Sequence, residues 1–151
     1  MLTAHYALLL DTHCLLRWFV LLAGVAVLVG SLLGLVLEKP FKPLGRVLGL
    51  IYVSLLDTQF LVGLLLSFAS PIVHSVWANP SVGMKVSHLR FFAIEHTTGM
   101  IIALAIAHVG AVVSRKALTD RKAYTAALSW YGISLAIILL SIPWWRPLIR
   151  L

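Results

Sequence analysis

The sequence predicts an all-α, polytopic membrane protein: a single domain over residues 1–151 that forms a four-transmembrane-helix up-down bundle. Hydrophobic residues make up 61% of the chain, and the mean hydropathy is +1.01. Charged residues make up only 11%, whereas soluble domains carry about 25%. The apolar residues are gathered into four runs, each close to the roughly 20 residues that a helix needs to cross a bilayer. These observations indicate an integral membrane protein without a separate soluble domain.

Proline and aromatic residues set the expected limits of the four helices. Pro40 stops the first helix, because proline lacks the N–H that a helix interior requires. Pro71 ends the second helix, and the loop 71–90 that follows is long enough to fold back over the bundle. Pro143 ends the fourth, and the adjacent Trp144 is typical of an interfacial aromatic belt. The predicted helices lie at about 12–37, 47–69, 91–114 and 124–143.

The net charge of +7 is explained by topology. Many of the basic residues lie in two short loops, as the positive-inside rule requires of cytoplasmic loops. We therefore expect both termini on the outer side and contact with the lipid bilayer, including anionic lipids. This distribution argues against nucleic acid as a partner. The basic loop residues are Lys39, Lys42, Arg46, Arg115, Lys116, Arg121 and Lys122.

Three formal charges lie inside or at the edge of the apolar runs: Arg17, Asp57 and Glu95. A charge at such a depth is unfavourable and usually marks a functional site or an internal ion pair. Arg17 and Glu95 lie at similar depth, roughly 30 Å from the inner helix ends, which predicts an ion pair that is either functional or only fixes helix register. Asp57 lies near mid-membrane with no cation at its depth. It is either protonated, or approached by Arg17 or a bound cation.

Two histidines accompany these charges in the outer half of the membrane. His13 and Arg17 are four residues apart and share one helix face. His96 is an intramembrane histidine that can ligate haem or a metal, bind a quinone head group, or simply pack through a hydrogen bond. His108 lies about 120° around the helix from His96 and is left out of the same site. A single bis-histidine haem between His13 and His96 has to overcome an expected depth mismatch of about 10 Å.

Three motifs carry a resemblance to a family. They are His13-Cys-Leu-Leu-Arg17-Trp18, Asp57-Thr-Gln59-Phe-Leu-Val-Gly63 and Arg90-Phe-Phe-Ala-Ile-Glu95-His96. Together they resemble small four-helix bacterial membrane proteins labelled "cytochrome b-like", which are loosely similar to cytochrome b561-type bundles. The resemblance implies haem b, electron transfer and the bacterial inner membrane. It also implies His13 and His96 as ligands of the haem iron and Arg17 as a propionate partner, with Asp57, Gln59 and Glu95 as further members of the site.

Three functions remain open from the sequence. The first is an electron-transfer protein or subunit that binds one haem b or a quinone and works with a redox partner. The second is a non-catalytic accessory subunit of a larger respiratory or photosynthetic membrane complex, in which the polar cluster is structural. The third is a divalent metal site built from His13, Asp57, Glu95 and His96, since mixed histidine and carboxylate sets suit such metals. No residue is assigned a catalytic role.

Overall fold

The computed structural model describes residues 2–146, with side chains from His5 onward. The first residue and the last five residues of the predicted 1–151 domain lie outside this range. Four of its helices are long and apolar enough to cross a membrane, which confirms the predicted fold class. The helical elements are α1 (Leu2–Val36), α2 (Leu44–Ala69), α3 (Pro71–Ala78), α4 (Pro80–Gly83), α5 (Ser87–Arg90), a π-helical turn (Phe91–Glu95), α6 (His96–Lys116) and α7 (Asp120–Ser141).

All four predicted helix starts differ from the structure: α2 begins at Leu44 rather than residue 47, and the helix predicted from residue 91 is a π-helical turn followed by α6. The helix α1 begins at Leu2 rather than near residue 12, because the intervening residues contain an apolar, helix-forming stretch and no proline. The helix α7 begins at Asp120 rather than residue 124. There the Thr119 side chain accepts a hydrogen bond from the Lys122 backbone N–H at 3.3 Å, and such a cap satisfies a donor that would otherwise lack a partner. The helices α1 and α7 therefore both extend beyond their most apolar segment.

The four long helices form a closed ring in the order α1, α2, α6 and α7. At its centre, the rings of Tyr52 and Tyr131 pack edge to face with centroids 5.5 Å apart. Ser134 donates its hydroxyl hydrogen to the Ala103 carbonyl at 2.9 Å. The Tyr52 hydroxyl, 2.9 Å away, therefore donates to the Ser134 oxygen, because Ser134 has a single hydrogen. This buried chain of hydrogen bonds joins α2, α6 and α7.

The loop between α1 and α2 is tied to the start of α7. The backbone N–H of Phe41 donates to the Asp120 carboxylate at 2.8 Å, and the Tyr124 hydroxyl donates to the Pro40 carbonyl at 3.0 Å. The rings of Phe41 and Tyr124 also pack edge to face, with centroids 5.0 Å apart. The two basic loops are therefore packed together at one end of the bundle.

The segment between α2 and the π turn covers the opposite end, as the sequence predicted. Its short helices pack on each other through Val76, which is fully buried, and through Gly83, where a side chain would meet the Val76 backbone. From α3, Ile72 and Val73 face a cavity between the long helices. We call this end of the molecule the α3 end.

Candidate functional site

A cavity of about 380 Å³ lies at the α3 end between α1, α2, α3, α6 and α7. Cavities of roughly 300–1,000 Å³ that are mostly apolar, with a few polar groups, are typical small-molecule sites. This cavity has that character, because most of its lining is aliphatic or aromatic. Its polar lining includes His13, Cys14, Arg17, Gln59, Ser67, Ser70, His96, Thr97 and Arg146.

The Gln59 amide holds His13 in a defined protonation pattern. Its nitrogen donates to the His13 backbone carbonyl at 2.9 Å and lies 3.3 Å from His13 Nε2. Only the NH₂ group can donate to a carbonyl, so the first contact fixes the amide orientation. His13 Nε2 is then a hydrogen-bond acceptor, and the neutral ring carries its proton on Nδ1.

Two polar atoms of this pair are unsatisfied. His13 Nδ1 and Gln59 Oε1 are buried and have no hydrogen-bond partner within residues 5–146. Gln59 is only 7% exposed, so bulk water does not supply the missing partner. A buried polar group without a partner is unfavourable by about 1–3 kcal/mol. The wall of the cavity thus contains one buried N–H donor and one buried carbonyl acceptor that lack partners within residues 5–146.

Gly63 makes room for the His13 ring. A Cβ atom at Gly63 would lie 2.8 Å from His13 Cε1, closer than van der Waals contact permits. Gly63 follows Gln59 by four residues and shares its helix face. The same face of α2 therefore supplies both the hydrogen bonds to His13 and the space that its ring occupies.

His96 enters the cavity from α6, directly after the π-helical turn. Such turns are rare and often occur at functional sites. His96 Nδ1 lies 2.8 Å from the Ser141 carbonyl. Because a carbonyl only accepts, Nδ1 carries the proton and Nε2 of the neutral ring keeps a lone pair. The rings of His13 and His96 have centroids 6.2 Å apart and an interplanar angle of 77°, so the structure brings together the two histidines that the sequence paired.

The predicted ion pair between Arg17 and Glu95 is not formed among residues 5–146. Arg17 lines the cavity, but Glu95 is exposed and pairs with Arg90 at 2.7 Å. Consecutive helical residues point about 100° apart, so Glu95 faces outward when His96 faces the cavity. The sequence estimate compared depths along the helices and left this rotation out.

Asp57 also lies outside the cavity, contrary to its expected place in the site. It is separated from Gln59 by about 200° around α2, and only Gln59 faces inward. Asp57 instead contacts His108 Nε2 at 2.8 Å. The group that lies near Asp57 is therefore His108, which the sequence analysis left out of the site.

The divalent metal hypothesis required four residues, of which the fold brings only His13 and His96 together. Among the residues with described side chains, no group of three or more histidine, cysteine, aspartate or glutamate side chains could hold a metal ion. The sequence interpretation also overlooked Cys14, Thr97 and the Ser141 carbonyl as parts of the site. Cys14 follows His13 directly and Thr97 follows His96, but no sequence signal marks a backbone carbonyl.

The fold and the site together define a class: a four-helix membrane bundle with a cavity at one end that two histidines flank. Comparison with known proteins finds no matching family profile, no similar curated protein and no similar solved structure.

Proposed function

We propose that the cavity binds the ring of a membrane quinol and that the chain acts in quinol-linked electron transfer. The observation that carries this proposal is the unsatisfied pair formed by His13 Nδ1 and Gln59 Oε1. A quinol hydroxyl is both an acceptor and a donor, so it matches an N–H and a carbonyl with one group. The mainly apolar lining suits the rest of the ring.

A redox partner belongs to this proposal. A quinol that becomes a quinone loses two electrons and two protons. In this proposal the lone pair on His96 Nε2 accepts one proton, water at the α3 end takes up the other, and a neighbouring membrane subunit or soluble redox protein receives the two electrons. The chain is then the quinol-binding part of a larger electron-transfer system.

Haem b is a second candidate, and the spacing of the histidine rings favours it. Imidazole nitrogens bind metals at about 2 Å, so two rings on opposite sides of one metal have centroids roughly 6 Å apart; the centroids here are 6.2 Å apart. His96 would be able to hold the haem iron, because its Nδ1–H is held by the Ser141 carbonyl and Nε2 remains available. His13 fits only if its ring turns, because Nε2 accepts from Gln59 and Nδ1 carries the proton. Haem would supply one-electron transfer, held by His13 and His96 with Arg17 nearby.

Two measurements on the detergent-purified protein test these candidates together. We expect a short-chain quinol to bind in a calorimetric titration, and the substitution His13→Leu to weaken binding by about tenfold or more, because it removes a buried donor. Thr58→Val, outside the cavity, is the control and leaves the affinity unchanged, because the Thr58 hydroxyl donates to the Ser54 carbonyl of its own helix. If instead the reduced-minus-oxidised spectrum shows an α-band that His96→Ala abolishes and His108→Ala retains, haem is the occupant. If wild type binds no quinol and has no haem absorbance, the accessory-subunit function replaces both.

We further propose that the protein lies in the bacterial inner membrane with both termini outside, because the basic loops pack together at one end of the bundle. In a Cys14→Ser background, we expect a membrane-impermeant maleimide to label Ser81→Cys, in α4, on intact cells. Lys42→Cys, in the first basic loop, becomes labelled only after lysis. The opposite pattern contradicts this orientation.

A further inference from the structure

Asp57 and His108 form a polar pair on the lipid-facing surface of the bundle. Their side chains are 42% and 53% exposed. Asp57 lies 13 residues after the start of α2 and 12 before its end (57 − 44 and 69 − 57). His108 lies 8 residues before the end of α6 (116 − 108), or about 12 Å inward at 1.5 Å per residue. Both side chains therefore face the hydrocarbon, where ionisable groups are strongly unfavourable unless another polar group meets them.

The net charge of the pair decides which of its atoms can still donate or accept a hydrogen bond. In hydrocarbon the neutral combinations are favoured, either aspartate with histidinium or aspartic acid with neutral histidine. In the first, Nε2–H donates to the carboxylate. In the second, the carboxyl O–H donates to Nε2 and the ring proton sits on Nδ1. Both combinations leave His108 Nδ1–H as a donor and Asp57 Oδ2 as an acceptor. Within residues 5–146, the only side-chain hydrogen bond of either residue is the one between them.

The surface around the pair is apolar. Leu50 and Leu61 lie within about 40° of Asp57 around α2, and Ile101 and Val112 lie within about 40° of His108 around α6. Each of these four side chains is at least 40% exposed. We call these four residues, with Asp57, His108 and the exposed Ala105, the α2–α6 face. The other side chains of this face are apolar, so its unused hydrogen-bonding atoms are one donor, His108 Nδ1–H, and one acceptor, Asp57 Oδ2.

We infer that the α2–α6 face docks against the same face of a second copy of this chain. Two-fold symmetry places each copy's His108 Nδ1–H opposite the other copy's Asp57 Oδ2, so the two unused atoms satisfy each other in both directions. A closed two-fold dimer is also the commonest arrangement of identical subunits. The aliphatic side chains need only matching apolar surface, and the short side chain of Ala105 allows close approach of the helices.

Cross-linking in native membranes tests this dimer. In a Cys14→Ser background, we expect Ala105→Cys to give a covalent dimer of twice the 16.6 kDa chain with a short bis-maleimide. Ile133→Cys is the matched control: it lies 13 residues from the start of α7 (133 − 120), is 50% exposed, and belongs to a helix that is not part of the α2–α6 face. We expect this control to remain monomeric.

The polar pair itself is tested in the Ala105→Cys background by replacing both residues, Asp57→Leu with His108→Leu. The double change leaves no unpaired polar group, so the bundle stays folded, which circular dichroism checks. We expect the yield of dimer to fall by about tenfold, because the symmetric hydrogen bonds in lipid are lost. An unchanged yield overturns the inference. So does a cross-link formed only to a different protein, which assigns the face to a partner subunit.

Discussion

Replacing Gln59 with leucine is expected to weaken quinol binding by about ten- to hundredfold while leaving the bundle folded. The buried amide performs two tasks. Its nitrogen donates to the His13 carbonyl and ring, which keeps the ring proton on Nδ1, and its unsatisfied oxygen is the acceptor for a quinol hydroxyl. Leucine removes both, and losing a buried hydrogen bond of this kind is worth about 1–3 kcal/mol, which converts to that range of affinity.

A comparison of the two redox forms of the ligand, quinol and quinone, gives a second test of this prediction. Wild type should bind the quinol more tightly than the corresponding quinone, because only the quinol can donate to Gln59 Oε1. Gln59→Leu should remove most of that preference. Thr58→Val is the control: Thr58 adjoins Gln59 but is exposed, and its hydroxyl donates to the Ser54 carbonyl of its own helix. Calorimetric titration with both redox forms measures the effect. Equal affinities for the two forms in wild type would show that the Gln59 oxygen does not contact the ligand.

The second large effect concerns stability: Gly34→Ala is expected to destabilise the protein by about 1–3 kcal/mol, as overpacking of a filled core does. A Cβ atom at Gly34 would overlap the Tyr124 ring. That ring is buried, and it is held by its hydrogen bond to the Pro40 carbonyl and by the ring of Phe41. It cannot move aside without breaking the contacts that join the first basic loop to α7.

Gly132→Ala is the matched control for this prediction. A Cβ atom at Gly132 would have its nearest neighbour at 3.9 Å, an ordinary contact with Leu28. Alanine is favoured over glycine inside a helix by up to about 1 kcal/mol, so this variant should be neutral or slightly more stable. Thermal unfolding in detergent compares the two. Similar melting temperatures for both variants would contradict the close packing of Gly34 against Tyr124.

Only part of the candidate site could be predicted from the sequence, because the direction in which each residue points around its helix axis was not known. The sequence placed His13 and His96 in the outer half of the bundle, and their ring centroids lie 6.2 Å apart in the structure, although helix spacing had predicted a depth mismatch of about 10 Å. Similar depth placed Glu95 beside Arg17, and the family resemblance implied Asp57 as a further member of the site. Depth is a coordinate along the helix axis, whereas membership of a site depends also on the angle around it, and a difference of one or two residues changes that angle by about 100–200°.

The sequence by itself determined that this chain has four segments long and apolar enough to cross a membrane, because the length of an apolar run is a local property that can be read without knowing the tertiary contacts. It also determined where the basic loops lie and which residues interrupt the apolar runs. Only the tertiary structure decided which of those residues meet. Gln59 on α2 hydrogen-bonds to His13 on α1, and His96 on α6 donates to the Ser141 carbonyl of α7. Asp57 meets His108 on the outer surface. Each of these contacts depends on helix rotation and on the π-helical turn before α6, which only the packed bundle fixes.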